Sequence, residues 1–246
     1  MNSGIGLLFP ATQSSLKKAL GIYSITIRYL HQAKKKQKRD PLNWPKCRDE
    51  WIQAWGNEIL NWIGIDLRVL GSVKPSAEPV LFVGNHISYL DIPVLMSQIP
   101  LAFIAKKELK HWPVFGSGVS LTGTVLVKRE SKTSRQEALS LIAQNIQKNK
   151  QSVGVFPAGT TTVDERKEWR RGVFQMAHQY QIPVQPFRIR FEPLREVAYI
   201  DDDFFGTHLF RLLKNEKIHC TLEFHEPFQV KDPAQDCLDA WNWSRG

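Results

Sequence analysis

A histidine and an aspartate stand five positions apart in residues 85–91, which read Asn-His-Ile-Ser-Tyr-Leu-Asp. Pro93 places a helix start here, because proline is tolerated only in the first turn of a helix. A bend at this point brings the Asp91 carboxylate to the His86 imidazole, fixes its tautomer and makes it a general base for a hydroxyl group. The same spacing also fits a local role, in which Asp91 or Ser88 caps the helix and His86 is an ordinary loop histidine.

Two later loops carry residue types that bind anions. Residues 123–129 end a strand with Lys128 and Arg129, and a guanidinium in that place suits bidentate recognition of phosphate or carboxylate. In residues 156–162 a predicted strand ends and is followed by a proline, a glycine and three threonines. The backbone N–H groups of such a loop suit the binding of an anion or oxyanion. Each loop also has a simpler interpretation. Lys128 and Arg129 fit an ordinary pair of surface cations, and residues 156–162 fit an ordinary turn.

The chain after residue 64 alternates short apolar runs with helical patterns, which predicts an α/β domain: a mostly parallel or mixed sheet flanked by helices. The three loops follow predicted strands, and sites in open sheets form outside the carboxyl ends of strands. Strands are predicted over residues 66–70, 80–83, 102–105, 124–127, 153–156, 184–191, 197–200 and 218–224. Helices are predicted over residues 134–149, where Ser134 and Glu137 form a capping box, and over residues 172–180 and 204–213.

Residues 1–63 are interpreted as an N-terminal helical segment, and residues 64–246 as the α/β domain. Ser15 is the predicted N-cap of a first helix with one apolar stripe, and a basic cluster follows that helix. The stripe and the cluster are Leu16, Leu20, Tyr23, Ile27 and Leu30, then Lys34, Lys35, Lys36, Lys38 and Arg39. This pattern is typical of an amphipathic helix in an anionic bilayer interface, but also of a core-packing helix before a solvated charge run.

A second helix is predicted over residues 48–63, because apolar residues share one stripe there. Trp51, Trp55 and Trp62 lie on that stripe. Tryptophan is favoured where one end of its ring meets apolar groups and the other end meets water. This face of the helix therefore fits lipid headgroups as well as the protein core. Core packing is the commoner reason for such a stripe.

The net charge of the chain indicates which kinds of partner it binds, and its cysteines indicate the redox compartment. The 33 Lys and Arg residues against 24 Asp and Glu give a net charge of +9, which favours an anionic partner such as a membrane surface or a phosphorylated substrate. Nucleic acid is not expected, since no helix-turn-helix or finger spacing is present. Cys47, Cys220 and Cys237 are far apart, which indicates a reducing compartment and neither a disulfide framework nor a zinc site.

Hydropathy predicts no transmembrane helix, because no apolar run reaches the roughly 20 residues that a spanning helix needs. The start of the chain is a poor match to a signal peptide. We therefore expect a peripheral or monotopic protein at the cytoplasmic face of a membrane.

The three loops, in this order, resemble motifs of the glycerolipid acyltransferase family, which includes 1-acylglycerol-3-phosphate acyltransferases. Residues 85–91 look like the family's His-x-x-x-x-Asp motif, and residues 106–116 like the segment that follows it. Residues 123–129 are similar to the second motif, residues 156–160 to the third and residues 182–186 to the fourth. Any one of these motifs is weak, but four in register are specific.

The resemblance implies acyl transfer from acyl-CoA or acyl carrier protein to the hydroxyl of a lysolipid, with no metal and no cofactor. His86 would remove the hydroxyl proton as the oxygen attacks the thioester, and Asp91 would hold the imidazole. Arg129 matches the cation that meets the acceptor's anionic head, and Lys106 would help to position a polar group. The third motif would supply the remaining substrate-binding residues, Phe156, Pro157, Gly159 and Thr160.

The chain departs from the family in its third motif, which usually reads Phe-Pro-Glu-Gly-Thr-Arg. Ala158 and Thr161 stand where the glutamate and the arginine are usual. An acceptor other than lysophosphatidate, such as lyso-ornithine lipid, is therefore an alternative, as is a catalytically weak or inactive member that only binds lipid. Four cations that follow either replace the missing arginine or form a solvated helix start: Arg166, Lys167, Arg170 and Arg171.

Overall fold

The structure, a computed structural model, describes residues 13–73, 78–107, 115–127, 132–164 and 166–246. Within these residues the helices are α1 (Gln13–Arg39), α2 (Trp44–Ile63), α3 (Asp91–Gln98), α4 (Phe115–Thr122), α5 (Lys132–Asn149), α6 (Gly172–Tyr180), α7 (Leu194–Val197), α8 (Phe205–Leu213) and α9 (Pro233–Arg245). The strands are β1 (Ile65–Leu70), β2 (Leu81–Gly84), β3 (Ala102–Lys106), β4 (Val125–Val127), β5 (Val153–Val155), β6 (Val184–Glu192) and β7 (Ile218–Phe224).

The described strands form one sheet in the order β1-β7-β6-β2-β5-β3-β4. All neighbouring pairs are parallel except β6 and β7, which run antiparallel. Strand β2 lies in the middle, between β6 and β5, so the loop that follows it opens at the carboxyl edge of the sheet. The predicted α/β class, a mostly parallel sheet with flanking helices, is confirmed.

Helices cover both faces of the sheet, and strand β2 shows how. Its side chains alternate between two apolar clusters: Phe82 belongs to one, and Leu81 and Val83 to the other. The Phe82 cluster draws on α2, α3 and α8, whereas the second cluster draws on α5, α6 and α9. A central parallel strand that is buried on both faces reads as a continuous apolar run, which is why its prediction from sequence is straightforward.

One predicted strand is wrong, and the C-terminal helix is missing from the prediction. Residues 197–200 are not a strand: α7 ends at Val197, and the next residues run outside any ladder. Val197 and Ala198 are buried against the core beneath α8, and a short apolar run does not distinguish that packing from a buried strand. The C-terminal helix α9 was not predicted, although Asp232 caps it by accepting hydrogen bonds from the N–H groups of Ala234 and Gln235.

The first helix also differs from its prediction. It begins at Gln13, so Ser15 lies inside α1, where it is buried, and is not the N-cap. It continues to Arg39, which places the basic cluster on its last turns and not after them. Lysine and arginine are good helix formers and are favoured at the negative end of the helix dipole, so the basic run extends the helix.

Helices α1 and α2 pack closely where a glycine faces a tryptophan. A Cβ at Gly21 would lie 2.0 Å from the indole of Trp62, whose Nε1–H donates to the Lys18 carbonyl. Trp51 packs edge-on against Tyr29 of α1, with ring centroids 4.9 Å apart. The tryptophan stripe of α2 therefore packs largely against protein. No described helix is long and apolar enough to cross a bilayer.

Candidate active site

The loop between β2 and α3 brings His86 and Asp91 together. The Nδ1 of His86 lies 2.7 Å from Oδ2 of Asp91, which is the first residue of α3. The aspartate is fully buried, whereas the histidine side chain is 20% exposed. A buried acceptor thus orients an imidazole that keeps one edge open to the outside of the sheet.

The Asp91 carboxylate also organises the loop itself. Its Oδ2 accepts hydrogen bonds from the N–H groups of Ile87 at 2.7 Å and Ser88 at 3.1 Å. The same oxygen therefore holds the start of the helix and orients the imidazole, so the two roles considered from the sequence are compatible. Because a carboxylate only accepts, Nδ1 of His86 carries the proton and Nε2 is left with its lone pair.

The open Nε2 atom defines what this site can do. No described residue forms a hydrogen bond with it, so its lone pair is available to a hydroxyl group brought to the outer edge of the sheet. A neutral imidazole held in this tautomer is a general base. The imidazolium formed after proton transfer would be stabilised by the adjacent carboxylate.

Asn85 fixes the loop from the other side and was given no role by the sequence. Its side-chain amide donates to the Ile189 carbonyl and accepts from the Ile189 N–H, both at 2.8 Å. These two hydrogen bonds extend the contact between β2 and β6 beyond Gly84, the last residue of β2, through the side chain of Asn85. The partner lies 104 residues away, so nothing local in the sequence signals the contact.

A stack of aromatic rings forms the wall behind His86. The Phe156 ring is parallel to the imidazole, with centroids 3.9 Å apart, and Phe187 meets Phe156 edge-on. Phe187 also lies against Gly84, where a Cβ would come within 2.3 Å of its ring. A glycine is thus required at the end of β2 for the wall to approach the loop between β2 and α3.

The loop after β5, residues 156–162, touches the same histidine. The Thr162 N–H donates to the His86 carbonyl at 2.8 Å. Gly159 has a φ of 78°, the left-handed region that favours glycine, and its N–H donates to the Phe156 carbonyl. Within this loop Pro157 is buried, whereas Thr160 is exposed.

The remaining predicted residues fall at the edge of what the structure describes. Lys106 is the last residue of β3, and its side chain lies outside the described part of the structure. Arg129 lies outside the described residues altogether. Their parts in substrate binding stay predictions. Ala158, which stands where the family usually has glutamate, is buried in the apolar cluster that contains Trp169 and Val173.

A second histidine, His208, supports the loop between β2 and α3 through Tyr89. His208 of α8 is fully buried, and its Nε2–H donates to the Ala198 carbonyl at 2.9 Å. Its Nδ1 therefore accepts from the hydroxyl of Tyr89, 2.8 Å away, and burial raises the pKa of Tyr89 so that this proton stays in place. The Tyr199 N–H adds a hydrogen bond to the Ile87 carbonyl. Sequence reasoning missed this support.

The cysteines are further reactive groups among the described residues. Burial raises the pKa of the Cys220 thiol and raises that of Cys237 to about 11. All three cysteines are free. No group of three or more His, Cys, Asp or Glu side chains that could hold a metal ion occurs in the part of the chain that is described.

Comparison with known proteins places this geometry in context. A family profile described as "Acyltransferase" matches residues 66–190, which contain the whole His86 site. The chain is 31% identical over 195 residues to the lyso-ornithine lipid O-acyltransferase of Pseudomonas aeruginosa, covering 76% of this chain and 74% of that enzyme. It is 32% identical over 144 residues to the 1-acyl-sn-glycerol-3-phosphate acyltransferase of Saccharomyces cerevisiae, covering 56% of this chain and 48% of that enzyme.

A solved structure has the same fold. The crystal structure of the 1-acyl-sn-glycerophosphate acyltransferase from Thermotoga maritima aligns with a TM-score of 0.64 at 19% identity. The alignment covers 93% of this chain and 95% of that one, so it includes the N-terminal helices as well as the sheet.

Proposed function

Because this chain belongs to the acyltransferase family, we propose that it transfers a fatty acyl group from acyl-CoA or acyl carrier protein to the hydroxyl of a lysolipid. The observation that carries the proposal is the His86–Asp91 pair, with Nδ1 held by a buried carboxylate and Nε2 open. A hydroxyl is a poor nucleophile until a base takes its proton, and the pair supplies that base.

The proposed reaction proceeds without an acyl-enzyme and without a metal or cofactor. Nε2 of His86 takes the acceptor's hydroxyl proton while the oxygen attacks the thioester carbonyl carbon. The resulting tetrahedral intermediate collapses, the C–S bond breaks and the thiolate takes the proton from the imidazolium. Asp91 stabilises that imidazolium and keeps its tautomer throughout.

The acceptor is proposed to be a lysolipid with an anionic group, either of the lysophosphatidate type or another such as lyso-ornithine lipid. Similarity to a named lyso-ornithine lipid O-acyltransferase over three quarters of the chain supports the second alternative. So does the pair Ala158 and Thr161, since the usual glutamate and arginine are both missing from the third motif. Two further cations are proposed to act on the substrate. Arg129 would meet the anionic group of the acceptor, and Lys106 would help to position a polar group.

We propose that the reaction takes place at the cytoplasmic surface of a membrane, on which α1 lies. Four of the five stripe residues face solvent: Leu16 is 47% exposed, Leu20 60%, Tyr23 53% and Ile27 41%. A row of apolar side chains that the protein leaves uncovered, ending in a basic cluster, suits an anionic bilayer interface. The core-packing alternative finds no support in those four residues.

The test is an acyl-transfer assay with labelled acyl-CoA and acyl carrier protein against lysophosphatidate, lysophosphatidylcholine and lyso-ornithine lipid. We expect a product with at least one pair, and we expect His86→Ala to abolish it while leaving vesicle binding unchanged. Gln179→Ala, an exposed substitution on α6, is the control for handling and should keep full activity. A His86→Ala enzyme with full activity would overturn the mechanism, and no product with any pair would favour the lipid-binding, non-catalytic alternative.

A further inference from the structure

The third motif lacks its usual arginine, yet four cations follow it, and the structure separates them. Arg166 is paired with Asp164, with Nε and Oδ1 3.0 Å apart. The charge of Arg171 acts on Cys237 of α9, where it opposes the rise in the thiol pKa that burial causes. Lys167 is exposed next to the Asp164 turn, with its N–H donating to the Asp164 carbonyl. Only Arg170 of these four reaches the third-motif glycine.

Arg170 is attached to the third motif through its backbone and its side chain. Its N–H donates to the Pro157 carbonyl at 3.2 Å. Its guanidinium lies over Gly159, since a Cβ built on that glycine would meet Cζ and Nη1 of Arg170 at 3.3 Å. Any side chain at residue 159 would therefore press against the guanidinium, in addition to the strain of a left-handed backbone.

The same loop joins Arg170 to the catalytic base. Gly159 donates its N–H to the Phe156 carbonyl, and the Phe156 ring is stacked on His86. At the far end of the loop, Thr162 donates to the His86 carbonyl. Arg170 thus contacts the loop that borders His86.

No described carboxylate forms an ion pair with Arg170, and the Arg170 side chain is exposed. Six other arginines do pair with a described carboxylate: Arg28, Arg48, Arg166, Arg188, Arg195 and Arg211. A guanidinium that lies over Gly159 and pairs with no described carboxylate has its planar set of donors available to an oxyanion.

We propose that Arg170 binds the anionic group of the acceptor lipid, a phosphate or a carboxylate, in place of the arginine that Thr161 replaces. The inference rests on the proposed acyl transfer and names a specificity-determining residue for it. The cation reaches the glycine loop from the segment before α6 and not from the loop itself. Phosphate and carboxylate both match the guanidinium fork, so the acceptors in the assay decide between them.

The test measures KM and kcat for acceptor and donor separately in Arg170→Gln, with lysophosphatidate and lyso-ornithine lipid as acceptors. We expect the acceptor KM to rise about 10- to 100-fold, the range for a lost hydrogen bond to a charged group. The donor KM and kcat should stay as in the wild type, and Arg170→Lys should recover part of the loss. Arg171→Gln removes the same charge one position away and should change neither constant.

Each other outcome overturns the inference in a distinguishable way. If the donor KM rises instead, Arg170 binds the phosphates of CoA and not the acceptor. If acceptor KM is unchanged, or if Arg170→Gln and Arg171→Gln have equal effects, the residue has no specific part in acceptor binding. If the wild type forms no His86-dependent product, the proposed function fails and this inference fails with it; wild-type turnover with an unaffected Arg170→Gln sinks the inference alone.

Discussion

One oxygen of Asp91 accepts three hydrogen bonds, from the imidazole of His86 and from the N–H groups of Ile87 and Ser88. The other oxygen, Oδ1, is buried without a hydrogen-bond partner among the described residues. The amide of an asparagine can therefore keep its oxygen at the Oδ2 position and place its NH₂ group at Oδ1. Asp91→Asn removes the negative charge while the geometry of the loop is retained.

We expect Asp91→Asn to lower kcat by about 10²- to 10⁴-fold, the usual contribution of general acid–base catalysis, because the imidazolium loses its counter-charge. The acceptor KM should change little. Steady-state kinetics measure both, and circular dichroism checks that the fold is intact. Asp66→Asn, which removes an exposed carboxylate from β1, is the matched control. A correctly folded Asp91→Asn enzyme with wild-type kcat would show that the carboxylate only shapes the loop.

At the scale of elements, a buried histidine of α8 forms a hydrogen bond to Tyr89 in the loop between β2 and α3. Burial lowers the pKa of His208 below its ordinary value of 6.5; Arg211 acts in the same direction, while the Ala198 carbonyl and Asp203 oppose it. The folded protein therefore takes up a proton at His208 less readily than the unfolded chain. Stability from this group is present above the ordinary histidine value and is lost as the pH falls below it.

The free energy of unfolding should fall more steeply with acid in the wild type than in His208→Gln, which has no group to titrate at this position. The difference belongs to the window below pH 6.5. Urea unfolding at a series of pH values between about 8 and about 5 measures both slopes. Gln179→Ala, an exposed substitution on α6 that removes no titratable group, is the control and should leave the wild-type slope unchanged. Parallel curves for wild type and His208→Gln would contradict the expectation.

The whole molecule presents its exposed apolar stripe and its basic cluster on one helix, α1. Membrane attachment then has two separable parts, burial of apolar surface and attraction of cations to anionic lipid. Each basic residue near such a surface contributes about 1 kcal/mol, and salt screens that part alone. The two parts are distinguished by their response to ionic strength.

Replacing Lys34, Lys35 and Lys36 together by glutamine should weaken binding to anionic vesicles about 10- to 100-fold at low salt and reduce the salt dependence. Vesicle sedimentation over a range of salt concentrations measures both effects. The matched control replaces three exposed lysines on other elements, Lys148, Lys150 and Lys231, and should bind as the wild type does. Leu20→Ser should weaken binding at every salt concentration. If vesicle binding is the same in all of these variants and at every salt concentration, the membrane contact lies outside α1.

What could be predicted from the sequence rests on local patterns. The apolar runs of β2, β5 and β7 and the periodicity of α2 and α6 identify these elements, because strand and helix repeats are short-range properties. The position of the His86–Asp91 pair follows likewise from a five-residue spacing beside a helix start. The prediction at residues 197–200 failed because an apolar run reports burial and not the type of element that is buried.

Only the tertiary structure decided how the site is held. Asn85 meets Ile189 across 104 residues, and Tyr89 meets His208 across 119. It also decided that the stripe of α1 faces outward and that Arg170, of four nearby cations, lies over Gly159. Sequence alone indicated which groups are proposed to carry the chemistry, because four motifs in register resemble those of the family. Their partners depend on which strands lie side by side, and that order arises only when the whole chain has packed around its two apolar clusters.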